Sequence, residues 1–213
     1  MAKTRPEPVR DQRTDHLLTP QNCILALIDY QPEQFGTITS TTQDRINLNV
    51  IALCRSAMKY NVPVVLSTVG VDLGANSGTV QTIRDELPGI EEIDRTGVNA
   101  WEDEDFRSTV ISTGRRKVVV AGLWTEVCLA YPTLDMLAAG YDVYPVADAV
   151  GGISLDSHHW ALQRMIAAGA TPITAMAFGA ELMRDWARTD SDNLREVMKW
   201  YFPRKQELDQ IEG

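Results

Sequence analysis

Cys128 stands in Thr125-Glu126-Val127-Cys128, just after the apolar run Val118–Val120 and the stretch Ala121-Gly122-Leu123-Trp124. Thr125 reads as a helix N-cap, because its hydroxyl can accept from a free amide of the first turn. Glu126 then falls in that turn, where the helix dipole favours an anion. A cysteine three residues after the cap feels the positive end of the helix, which predicts a lowered thiol pKa and thiolate near neutral pH. Its own N–H belongs to the unpaired donors of a helix start. One residue thus offers both a nucleophile and an oxyanion donor, which acyl transfer needs together. The competing reading is a core cysteine at a strand-to-helix turn.

The elements around this turn have a regular order. Apolar, β-rich runs at Cys23–Ile28, Val62–Val69, Ile90–Asp94, Val118–Leu123, Asp142–Ala147 and Pro172–Met176 predict strands. Helical patterns lie between them, at about residues 44–60, 79–87, 102–113, 125–139 and 156–168, with two more at 181–188 and 193–202. This alternation predicts an α/β fold. It is a three-layer α/β/α arrangement with a six-stranded, mostly parallel sheet in the Rossmann-like order 3-2-1-4-5-6. In such sheets the first and fourth strands flank the crevice where ligands bind. Asp29 closes the first strand and Cys128 follows the fourth, so two chemically able residues converge there; the plainer reading of Asp29 is a strand-end cap. No glycine-rich fingerprint follows either strand, which argues against the nucleotide-binding version of the fold.

The 213 residues suit one domain spanning 1–213, with 1–20 as a polar arm that reaches a neighbour and 190–213 as a C-terminal helix and tail. A net charge of −9 argues against nucleic acid and against anionic membrane surfaces. Three cysteines are too few and too odd in number for a disulfide framework, which points to a reducing, cytoplasmic setting. The N-terminus lacks an apolar signal core, and no run approaches the ~20 residues of a membrane span. Cys54 shares a helix face with Ile46, Val50, Leu53 and Ala57 and reads as packing. His158 and His159 are adjacent, point different ways on a helix, and read as surface or interface residues.

Three segments in this order resemble the isochorismatase-like cysteine hydrolase family: LIDYQ closing the first strand, RTGVNAW after the third, and GLWTEVC after the fourth. The later YDVYPVADA is similar too, and the likeness covers about residues 20–190. The resemblance implies a triad of aspartate, lysine and cysteine, carried here by Asp29, Arg95 and Cys128. Arg95 stands where most of the family has lysine, as in an amidase-like bacterial branch of unassigned substrate. Arginine does not give up its proton, so its implied role is an electrostatic clamp; its plainer reading is an ion pair with Glu91, Glu92 or Asp94. The family also implies a cis peptide at Leu123–Trp124 and an oxyanion hole from the Trp124 and Cys128 amides. The implied activity is cleavage of a small amide through a thioester. Isochorismate-type ether hydrolysis is the alternative that the cysteine argues against, and a non-catalytic or redox-sensing member is the other. Tyr30, Phe35, Asn99, Trp101 and Trp124 are expected to touch the substrate, the aromatics equally fitting a core. Residues 30–100 hold no histidine, so no metal and no cofactor are expected. The expected partners are a small-molecule substrate and further copies of the chain.

Overall fold

The structure, a computed structural model, describes residues 11–212. Its strands are β1 (Cys23–Ile28), β2 (Val64–Val69), β3 (Glu92–Arg95), β4 (Lys117–Gly122) and β5 (Asp142–Pro145). They pair in parallel in the order β3-β2-β1-β4-β5. The helices are α1 (Pro32–Phe35), α2 (Gln43–Lys59), α3 (Gln81–Arg84), α4 (Glu104–Ser112), α5 (Ala130–Ala138), α6 (Leu155–Ala167), α7 (Ala175–Met183) and α8 (Ser191–Glu212). A 3-10 turn covers Ala100–Glu102 and a π-helical turn covers Thr125–Leu129.

Every residue of β1 and β4 is buried, as strands covered on both faces must be. α2 packs with α7 and α8, and α5 packs with α6. α2 turns Ile46, Val50, Leu53, Cys54 and Ala57 inward, and Thr42 caps it by accepting from the Arg45 amide. The β1–β4 register runs from Cys23 opposite Lys117 to Ile28 opposite Gly122. Both strands therefore end at one level, with Asp29 beside Leu123. Gly122 is required there: a Cβ would stand 3.0 Å from the Ile28 carbonyl oxygen and 3.1 Å from its Cβ.

The expected sixth strand is a single bridge between Val146 and Ile173. Pro172 has no N–H to give a ladder, and Thr174 is already the N-cap of α7, accepting from Ala177. The C-terminal region also differs, since α8 runs through Pro203 to Glu212 as one helix. The first half of the expected arm, 1–10, lies outside the described residues. The second half packs on its own chain: Leu18 is buried, and the Lys117 ammonium donates to the carbonyls of Asp15, His16 and Leu17 at 2.8, 2.6 and 3.0 Å. Among the described residues no helix is long and apolar enough to cross a membrane.

Candidate active site

Asp29, Arg95 and Cys128 meet at the carboxyl ends of the strands. Asp29 follows β1 with φ +59°, a left-handed backbone that aspartate tolerates better than most residues. Its amide donates to the Ser67 carbonyl at 2.9 Å, which fixes it over the end of β2. Arg95 is the last residue of β3, two strand spacings from β1, or about 10 Å. Its long side chain crosses the end of β2 to reach Asp29. Nη1 and Nη2 donate to Oδ1 and Oδ2, each at 2.7 Å, and both side chains are wholly buried. Along the way Nη1 donates to Ser67 Oγ at 3.0 Å and the Thr68 carbonyl at 2.9 Å, and Nη2 to the Val98 carbonyl at 3.3 Å. Burial alone would ease the proton off Arg95. The hydrogen bonds and charge of Asp29, followed by the charge of Cys128, outweigh it, so Arg95 stays a cation.

Cys128 is 7% exposed and lies within electrostatic reach of both Asp29 and Arg95. Burial pushes its pKa up, and the charge and hydrogen bond of Asp29 push the same way. The Arg95 charge and a hydrogen bond from the Trp124 backbone pull down, but less. This reverses the expected thiolate. The physical reason is that the sequence pattern shows the helix start but not the depth of burial, nor the carboxylate on the other side of the sulfur. The cap also differs: Trp124 occupies the N-cap position and Thr125 opens the π turn, in which the Leu129 amide donates to the Trp124 carbonyl at 3.2 Å. Such turns are frequent at functional sites. The peptide bond between Leu123 and Trp124 is cis.

The π turn is held from outside by residues that the sequence did not single out for the site. The Thr125 amide donates to the Gly151 carbonyl at 2.9 Å, and the Ile153 amide donates to Glu126 Oε1 at 3.0 Å. Thr125 Oγ1 lies 2.9 Å from His158 Nδ1, so His158 is half-buried against the site rather than on the surface. Burial holds its pKa down, Glu126 pulls it up, and His159 pulls it down. The Trp124 indole donates to Thr37 Oγ1 at 2.7 Å, which leaves its ring partly buried beside the turn. The visible signals for these residues were Ser67-Thr68 at the end of an apolar strand and the pair Gly151-Gly152.

The remaining expected contact residues fall elsewhere. Tyr30 has no exposed surface, and its hydroxyl donates to the Ala149 carbonyl at 2.7 Å. Phe35 packs against it with ring centroids 6.0 Å apart. Trp101 is buried edge-on against Tyr141 at 5.4 Å. All three belong to the buried core. The Asn99 side chain is committed, its amide to Asp135 Oδ2 at 2.7 Å and its oxygen to the Trp101 amide at 3.1 Å. A cleft of about 820 Å³ lies at the opposite, amino end of the sheet, between Asn22, Lys117 and Asp142, away from the triad.

The family model of the isochorismatase domain matches residues 23–177. The chain is 33% identical over 187 residues to the probable hydrolase YcaC of Escherichia coli K12, covering 87% of this chain and 89% of that one. The structure of YcaC from Pseudomonas aeruginosa, with hexane-2,5-diol and covalent acrylamide, superposes with a TM-score of 0.84 at 33% identity, covering 94% of this chain and 98% of that one. The Escherichia coli YcaC structure, described as an octameric hydrolase of unknown specificity, gives a TM-score of 0.84 at 32% identity, covering 93% and 97%. A buried carboxylate, guanidinium and thiol at the switch point of the sheet, together with a family match over most of its length, place this chain in the isochorismatase family of hydrolases.

Proposed function

We propose that the chain hydrolyses a C–N bond of a small amide through a thioester on Cys128. The observation that carries this reading is the burial of Cys128, Asp29 and Arg95 together at the strand ends, with the Asp29 carboxylate clamped by Arg95. At rest the three groups sum to zero charge as carboxylate, guanidinium and thiol. Moving the thiol proton to Asp29 keeps that sum at zero, so the buried site bears no net charge in either state. The proton moves as substrate arrives. The sulfur attacks the carbonyl carbon, and the carbonyl π electrons move to oxygen. The Trp124 and Cys128 amides hold that oxyanion. The tetrahedral species collapses, the C–N bond breaks, and Asp29 gives its proton to the leaving nitrogen. Water then adds to the thioester and passes a proton to Asp29. Collapse releases the acid and a thiolate, which takes the proton back. Arg95 keeps its proton throughout and faces whichever partner is anionic.

The covalent acrylamide on the Pseudomonas aeruginosa relative fits a family in which a nucleophile is available. The octameric state of the Escherichia coli relative favours a homo-oligomer here too. Three unpaired cysteines suit a reducing, cytoplasmic compartment. One observation favours a second reading, a non-catalytic member: the upward shift of the Cys128 thiol. The two separate on intact mass after mixing with p-nitrophenyl acetate and a panel of small primary amides. The hydrolase forms an acetyl adduct and turns over at least one amide, and Cys128→Ala abolishes both. Equal turnover by Cys128→Ala removes the proposal.

A further inference from the structure

Next to the loop that carries Arg95 is a groove of about 470 Å³, lined by Val98, Glu102, Tyr131, Leu134 and Arg164 among others. Its apolar wall is open to solvent, with Val98 56% and Tyr131 37% exposed. Three charged residues face it: Asp135, whose Oδ2 accepts from the Asn99 amide at 2.7 Å, and the opposite charges of Glu102 and Arg164. Among the described residues neither Glu102 nor Arg164 forms an ion pair. The Arg164 guanidinium lies over the Tyr131 ring at 6.0 Å. One turn earlier on the same face of α6, Trp160 stands 67% exposed. A protruding tryptophan, a groove, a free acid and a free base thus share one surface.

We infer that this surface binds a second copy of the chain about a two-fold axis. Such a contact uses one patch twice, so the patch must complement itself. Here it does, because Glu102 of each copy can meet Arg164 of the other, and each Trp160 can enter the opposing groove. Exposed tryptophan, tyrosine and arginine form the composition that interface centres favour. With a net charge of −9, two copies repel over most of their surfaces, and a matched acid and base select this face and its register. A small anion on Arg164 is the weaker occupant, since Glu102 shares the groove and opposes it. The contact bears on the site. Val98 holds the Arg95 guanidinium through its carbonyl, and Tyr131 lies one turn beyond Cys128. The inference rests on the oligomer reading above and is independent of the cysteine chemistry.

Sedimentation velocity on the full chain tests it, with circular dichroism to show that each variant folds. Glu102→Arg and Arg164→Glu each put like charges face to face and weaken association at least about tenfold, giving a smaller species. The double reversal restores the wild-type mass. Trp160→Ala gives the smaller species without any charge change. A monomeric wild type overturns both this inference and the oligomer reading. A wild-type assembly that survives both single reversals, or is not restored by the double, overturns the face alone.

Discussion

Arg95 meets Asp29 edge to edge, with two 2.7 Å hydrogen bonds across the end of the strand between them. Neither side chain touches solvent. A buried pair broken on one side leaves the other charge uncompensated, at about 3–5 kcal/mol. Arg95→Ala is therefore expected to lower the unfolding free energy by about that amount. Arg95→Lys keeps the charge but not the fork, and loses the bonds to Thr68 and Val98, so it falls between the two. Urea unfolding measures this, and a wild-type midpoint for Arg95→Ala would contradict the buried pair.

The thiol beside that pair gives an opposed pair of effects. Burial, then the charge and hydrogen bond of Asp29, hold the Cys128 pKa above the ordinary 9.0. Alkylation by iodoacetamide should thus rise with pH at a midpoint above that of a free thiol. Asp29→Asn removes the negative charge and replaces one of the two acceptor oxygens with an NH2 donor, so the midpoint should fall and alkylation near neutral pH should quicken. Hydrolysis should nevertheless drop by about 10²–10⁴, the usual contribution of general acid–base catalysis. Faster alkylation with slower turnover separates a base from a group that merely crowds the sulfur.

Much of this site was legible in the chain, for reasons that also set the limit. Asp29 and Cys128 each follow a strand buried along its whole length, and parallel topology puts the ends of those strands together. Arg95 was legible only through the resemblance, since its neighbours Glu92 and Asp94 offered equally good ion pairs by sequence distance. Three-dimensional reach decided the matter: Asp94 is spent on the Thr68 hydroxyl and the amides of Val71 and Asp72. Ring direction depends on packing that no spacing encodes, and the alternative of a core role describes Tyr30, Phe35 and Trp101 but not Trp124. Tyr30 sits beside Asp29 in sequence, yet its hydroxyl is buried against Ala149, 119 residues away. The sixth strand failed because Pro172 and a cap at Thr174 compete with a ladder over the same five residues.

Buried thiols also set an alkaline limit. Burial is the largest cause for both core cysteines, lifting Cys23 from 9.0 to about 12 and Cys54 higher still. The folded state holds these protons more tightly than the unfolded chain. The resulting stability is fully present below pH about 9 and is lost as pH climbs toward about 12. Unfolding free energy from urea titrations should stay level up to the lower value and then fall. Cys23→Ala removes one titrating group and should make the fall shallower. A stability that rises through this window would contradict the assigned direction.

Gly152 ties the outer loop to the π turn that carries Cys128. A Cβ there would stand 2.5 Å from Glu126 Oε2, 3.1 Å from the His158 amide nitrogen and 3.2 Å from its Cα. The carboxylate is not free to swing away, because its other oxygen accepts from the Ile153 amide at 3.0 Å. Gly152→Ala should therefore cost about 1–3 kcal/mol, as overpacking does. It should also slow hydrolysis, since Thr125 and Glu126 carry the displacement to the Trp124 amide two residues away. Adding Glu126→Ala opens space on one side and should recover part of the stability, with the His158 backbone contact accounting for the remainder. Gly97→Ala serves as the comparison, as no atom lies within 4 Å of its Cβ position and its backbone needs no left-handed turn. Equal urea midpoints and equal turnover for the two alanine variants would mean that the 151–153 segment does not hold the Cys128 turn in place.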